Sequence, residues 1–118
     1  MTQEDKELLL KDLCARLPYG VKIQVPYEDG SGYFDETVWE VNNEGPFHVN
    51  GWGIEYEYVK PYLFPLSSIT KKRLEELSEY IDIKNAYVAV ELLNSHHIDY
   101  RGLIEKGLAI DATGLNIY

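Results

Sequence analysis

Between Tyr19 and Val59 apolar and polar residues alternate in four short runs, and nothing else in the chain restricts its fold as much. In "GVKIQV", Val21, Ile23 and Val25 fall on one side, and Lys22 and Gln24 on the other. That is the two-residue period of a half-buried strand. Pro26 and "EDGSG" supply a turn, after which "ETVWEV" sets Thr37, Trp39 and Val41 against Val38 and Glu40. "FHVN" follows "NNEGP" and puts Phe47 and Val49 on one face. Beyond Gly51 and Gly53, "IEYEYV" sets Ile54, Tyr56 and Tyr58 against Glu55 and Glu57. Four short strands broken by Gly- and Asn-rich turns predict a meander, forming a small antiparallel sheet or an SH3-like barrel. "GLAI", residues 107–110, offers a fifth strand.

The flanks read as helices, which makes the fold class α+β. Thr2 is placed to cap the first, with Glu4 and Asp5 in the turn where the helix dipole favours negative charge. Leu10, Leu13, Cys14 and Leu17 are spaced as one apolar stripe, which predicts a buried, structural Cys14. Pro18 ends the helix. "KPYLFPLSSIT" carries Pro61 and Pro65, and is expected to be an extended connector across the surface. A second helix is predicted from Thr70 to about Tyr80, with Ile69 and Leu74 as a staple around the cap and Leu74, Leu77 and Ile81 as its stripe. Lys71, Lys72 and Arg73 set positive charge at the positive end of that helix, against the dipole. A third helix is read over "NAYVAVELLNSHH" from Ala86, Val90, Leu93 and His97, capped by Asn85, although "YVAV" alone would also suit a strand. The expectation is one domain over residues 1–118 with two C-terminal helices.

Composition narrows the function. Lys and Arg number 11 and Asp and Glu 20, a formal net charge of −9. No Lys or Arg lies between Lys22 and Lys60, while Glu28, Asp29, Asp35, Glu36, Glu40, Glu44, Glu55 and Glu57 do. Phosphate backbones are bound by basic patches, so direct nucleic-acid binding is not expected. A single cysteine excludes an internal disulfide framework and a cysteine-built zinc cage. "MTQEDKELLL" has no basic start leading into an apolar run, and no stretch approaches the roughly 20 apolar residues of a membrane helix. The chain is therefore expected to be soluble and cytoplasmic, without a cofactor, as a monomer or a homodimer.

"NSHHIDYRGL", Asn94 to Leu103, is the densest chemistry on offer, with His96, His97, Asp99, Tyr100 and Arg101 ahead of Gly102. Adjacent histidines on a helix point about 100° apart and cannot share one metal ion. His97 and Asp99 give two ligands, where a catalytic zinc takes three from protein. The third would have to come from His48 or a glutamate, and no metal site is expected. Asp99 could orient His97 beside Ser95, but catalytic triads converge from separate segments. No Gly-x-Ser-x-Gly elbow, Walker loop or dinucleotide fingerprint occurs, and the reading leans away from an enzyme. The favoured reading is a seam. Asn94 and Ser95 end a helix, the histidines sit near its negative pole, Asp99 and Arg101 tie neighbouring backbone or each other, and Gly102 turns the chain.

Three stretches, "KDLCARLPYGVKIQV", "KPYLFPLSSIT" and "LLNSHHIDYRGLIEKGLAIDA", resemble a family of small uncharacterised proteins from gut anaerobic bacteria, their prophages and mobile elements. Together they span about two fifths of the chain, and the histidine-to-alanine block is the most specific. The resemblance implies a phage or mobile-element setting; the family has no established activity, so no mechanism comes with it. The chain departs from the family at Lys71 to Arg73, where acidic residues are expected.

Three functions remain. The first is a non-enzymatic protein-interaction module, because ten Tyr and two Trp in 118 residues supply large contact anchors with little rotamer entropy. Tyr33, Trp52, Tyr56 and Tyr58 are its candidate surface, with at least one of Trp52 and Tyr33 expected to be exposed. The second is an acidic mimic that occupies a nucleic-acid-binding protein, which needs the eight central carboxylates on one surface. The third is a metal-dependent hydrolase using His97 and Asp99.

Overall fold

Thr2 opens the first helix as its side chain predicts: its Oγ1 accepts the amide of Asp5 at 3.1 Å. A computed structural model describes residues 2–27, 29–41, 46–48, 58–69 and 86–118, and at 39–40, 46–48 and 86–89 the backbone alone. Helix α1 runs Gln3–Arg16 and passes into a 3-10 turn, Leu17–Tyr19, that holds Pro18. Gly20 then takes a left-handed φ of 68°, which glycine adopts without a Cβ penalty. The helix ends where Pro18 predicts, but its phase differs from expectation. The buried residues are Leu9, Asp12, Leu13 and Arg16, and Cys14 is exposed rather than buried. The inward face has the spacing i, i+3, i+4, i+7, yet two of its four members are charged. A stripe drawn through apolar residues alone is rotated away from it.

Strands β1 (Lys22–Pro26), β2 (Tyr33–Val41), β3 (Pro46–His48) and β4 (Lys60–Pro65) precede helix α2 (Ala86–Ser95), with two-residue strands β5 (Ile98–Asp99) and β6 (Ile110–Asp111) after it. The order is β3-β2-β1-β4-β5, and β6 also joins β4. The pairs β1–β2, β2–β3 and β1–β4 are antiparallel, whereas β4 pairs in parallel with β5 and with β6. The sheet is thus mixed, a correction to the antiparallel one expected. A crossover containing α2 separates β4 from β5, and such a connection returns the chain in the same direction. Among the described residues no pairing closes the ladder into a barrel.

"KPYLFP" is a strand inside the sheet and not a surface connector. Its prolines stand second and last. Its middle is held by Phe64 N–H, which donates to His97 O at 2.8 Å, and by Leu63 O, which accepts from Ala112 N at 2.8 Å. Those atoms belong to one trans peptide and point to opposite edges. Neighbours therefore grip β4 on both sides without calling on a proline donor.

Register sorts the two faces. On the inner face Val21, Ile23, Val25, Val38 and Leu63 join Leu9 and Leu13 of α1 in the core, together with Val59, Leu103, Leu108 and Ala109. The alternation read in β1 holds. In β2 it is Val38 that is buried, and the pairing slips between Val38 and Glu40. A bulge inserts one extra residue, so Val41 also packs against the core. The outer face carries Lys22, Gln24 and Pro26 opposite Thr37, Asp35 and Tyr33.

Residues 86–95 are helical, as favoured, but the expected stripe fails: Val90 is 41% exposed and His97 lies past the helix end. The helix predicted from Thr70 to about Tyr80, the cap Asn85, and Trp52, Ile54 and Tyr56 lie outside the described residues. No helix among the described residues is long and apolar enough to cross a membrane.

Candidate functional site

The polar stretch after α2 closes onto α1. Asp12, fully buried, accepts from Arg16 Nε at 2.8 Å and Nη2 at 3.1 Å, and from Arg101 Nε at 3.2 Å. Arg16 is equally buried and spans the gap, its Nη2 also donating to Ile98 O at 2.5 Å. Desolvating such a group is costly unless partners replace water, and two arginines around one carboxylate supply them. Tyr100 lies beside both. The guanidinium carbons of Arg16 and Arg101 stand 5.3 Å and 4.8 Å from its ring centre, close enough for cation–π attraction. Its hydroxyl donates to Asn94 Oδ1 at 2.7 Å and accepts from Arg101 Nη2 at 3.0 Å. Tyr19 adds a link from the turn after α1, donating to Glu91 of α2.

Asp99 does what its position suggested. Its two oxygens accept the amides of Leu103 and Ile104, each at 2.9 Å, and so hold the turn that starts at Leu103. His97 is buried at a left-handed φ of 57°. Its ring lies flat on that of Tyr118, with centroids 3.8 Å apart and planes 11° from parallel. Burial, followed by the nearby charges of Arg16, His96 and Lys22, pushes His97 down to about 4, so the ring is neutral at pH 7. Its Nδ1 and the Nη1 of Arg16 are buried and find no hydrogen-bond partner among the described residues. His96 ends the helix, its amide donating to Leu92 O at 3.2 Å. Ser95 Oγ donates to Leu92 O at 2.8 Å. The Asp99 oxygens are thus turned to backbone amides, and the Ser95 hydroxyl to a helix carbonyl. Arg101 pairs with Asp12 of α1, and not with Asp99. No three of His, Cys, Asp and Glu among the described residues gather as a metal ion would need.

A second constellation stands on the outer face of the sheet. Tyr62 donates to Asp35 Oδ1 at 2.5 Å and accepts from Gln24 Nε2 at 3.2 Å, a network across β4, β2 and β1. Burial and the Asp35 carboxylate push Tyr62 up to about 12. At one end of the sheet three tyrosines are exposed: Tyr27 just after β1, Tyr33 at the start of β2 and Tyr58 two residues before β4. Antiparallel pairing of β1 with both neighbours brings those positions to the same end. The connecting loop is tied by Tyr27 N–H to Gly32 O at 2.9 Å, Gly30 N–H to Tyr27 O at 3.0 Å and Ser31 N–H to Asp29 Oδ1 at 2.9 Å. Tyr27 leans on Phe34 with ring centres 5.1 Å apart. Of the eight central carboxylates, Asp35 and Glu36 are neighbours in β2 and face opposite sides.

Asp12, Arg16, Tyr62 and Tyr118 were not picked out from the sequence. A signal for the first two was present: Asp12 and Arg16 lie four apart and share a helical face with Leu9 and Leu13. No family model, curated protein or solved structure matches the chain.

Proposed function

We propose that this chain is a non-enzymatic protein-interaction module that meets its partner with the tyrosine-bearing end of its sheet. One observation carries the reading: Tyr27, Tyr33 and Tyr58, from three adjacent segments, are 49%, 64% and 56% exposed at one end of a hydrogen-bonded ladder. Large rings left in water on a rigid frame lose little further freedom on binding, and tyrosine is among the residues that dominate contact energetics. The chemistry around Asp12, by contrast, is turned inward on itself. In the prophage or mobile-element setting that the resemblance implies, the partner is a cytoplasmic protein of the host or of the element.

The test is site-specific photo-crosslinking in the native host, with a photoreactive amino acid at position 33, 58 or 105 in turn. Positions 33 and 58 are expected to capture the same protein, and the exposed Glu105 position is not. Equal capture from all three positions, or different sets from 33 and 58, overturns the assignment of this surface.

A further inference from the structure

The chain builds one three-part arrangement in its own interior and displays two of its parts on its surface. Inside, Arg101 lies over the ring of Tyr100 at 4.8 Å while its Nε donates to Asp12 at 3.2 Å. On the outer face Tyr33 and Asp35 are two residues apart in β2, hence on the same side, and both are exposed. From this we infer that the outer-face pair Tyr33 and Asp35 receives an arginine side chain of the partner, within an arginine-bearing, extended segment. The inference rests on the interaction-module reading and names the partner's chemistry.

Three features support arginine in particular. The Asp35 carboxylate is oriented in advance by Tyr62, which Gln24 in turn holds, so binding does not have to order it. A planar guanidinium can lie on a tyrosine face while donating two parallel bonds to a carboxylate; an ammonium cannot do both. The chain as a whole favours a cation, with a net charge of −9. Two groups on the same face oppose it: Lys22, opposite Thr37, and Lys60, in register with Gln24, which also faces Asp35. The Lys22 ammonium is held by Ile117 O at 2.8 Å, whereas Lys60 is exposed, so removing Lys60 should strengthen binding.

The experiment is fluorescence anisotropy at physiological salt, with labelled octapeptides of alternating arginine and glycine or alternating lysine and glycine. The arginine peptide is expected to bind about tenfold tighter than the lysine peptide. Tyr33→Ala should weaken it about fivefold or more, and Tyr33→Phe, which keeps the ring and loses a hydroxyl of the kind that accepts from Arg101 at Tyr100, should weaken it less. Asp35→Asn should weaken it, and Lys60→Gln should tighten it. Thermal melts of Tyr33→Ala, a substitution at an exposed ring, show that the fold persists. Equal affinity for the two peptides, no binding of either, or indifference to Tyr33→Ala overturns the arginine assignment. If positions 33 and 58 still crosslink to one protein in that case, only the partner chemistry is wrong. If they do not, the interaction surface falls as well.

Discussion

His97 lies flat against Tyr118, ring on ring at 3.8 Å, with its side chain buried and its backbone in the left-handed region. The stack brings a titratable group into the core, and the sign of its effect on stability follows. Unfolded, the imidazole has a pKa near 6.5; folded, it is held down to about 4. Between those values the unfolded chain binds the extra proton. Stability is therefore complete above about pH 6.5, falls as pH drops toward 4, and loses at most about 1.4 kcal/mol per unit in that window. Urea unfolding measured at intervals from pH 7 to pH 4 should show the slope. His97→Asn, which tolerates a left-handed φ, should be less stable at pH 7 and flatter across the window. An unchanged slope in that variant would place the titration elsewhere.

Tyr118 also completes the sheet. The β1–β4 register pairs Ile23 with Pro61, and one step further sets Lys22 opposite Tyr62. There the Tyr118 hydroxyl accepts from Lys22 N–H and donates to Tyr62 O, both at 2.8 Å. Tyr118→Phe keeps the stack and removes the bridge. The expected cost is about 1–2 kcal/mol by denaturant unfolding, with faster hydrogen exchange at the Lys22 amide. Unaltered exchange there would show that the hydroxyl bridge contributes nothing.

Asp12 and Arg16 should behave as a unit. Asp12→Ala leaves two arginines facing an empty anion position, one of them fully buried, and should cost about 3–5 kcal/mol. The double substitution Asp12→Leu/Arg16→Met removes the two fully buried charges together, leaves only the partly exposed Arg101 without its carboxylate, and should lie closer to the parent in urea unfolding than Asp12→Ala. Strict additivity of the two single substitutions would contradict a coupled pair.

Cys14, on the outward side of α1, is expected to react with a thiol reagent in the native protein as it does in denaturant. Cys14→Ala should alter stability by less than about 0.5 kcal/mol, the usual range for surface sites. Protection of the thiol until unfolding would restore the buried reading.

What the sequence disclosed follows from which interactions are local. Thr2, Pro18 and the Val21–Ile23–Val25 alternation act within a few residues, so cap, stop and strand could all be read directly. The seam reading of Asp99 had the same basis, because its acceptors' partners, Leu103 and Ile104, are four and five positions on. The misreadings share a cause of the opposite kind. The phase of α1 depends on Arg101 and Ile98, more than eighty positions away, which make a charged face suitable for burial. "KPYLFP" became a strand because His97 and Ala112 supply its pairing from the far side of α2. Val38 took the inward place because pairing with β1 sets the phase of β2, and a bulge beyond it turned Val41 inward as well; no local propensity announces either. Of the tyrosines, composition gave the number; only the register shows that Tyr27, Tyr33 and Tyr58 gather at one end.

The span between Asp12 and Arg101 governs when the molecule can assemble. A ribosome makes Asp12 89 residues before the arginine that completes its surroundings. Until then Asp12 has Arg16 alone for a counter-charge, although the leucines of the same helix share a core with Val21, Ile23 and Val25, made soon after them. Completion of the charged seam is therefore a late event in biosynthesis, and contacts of such long sequence separation slow the search for the native state.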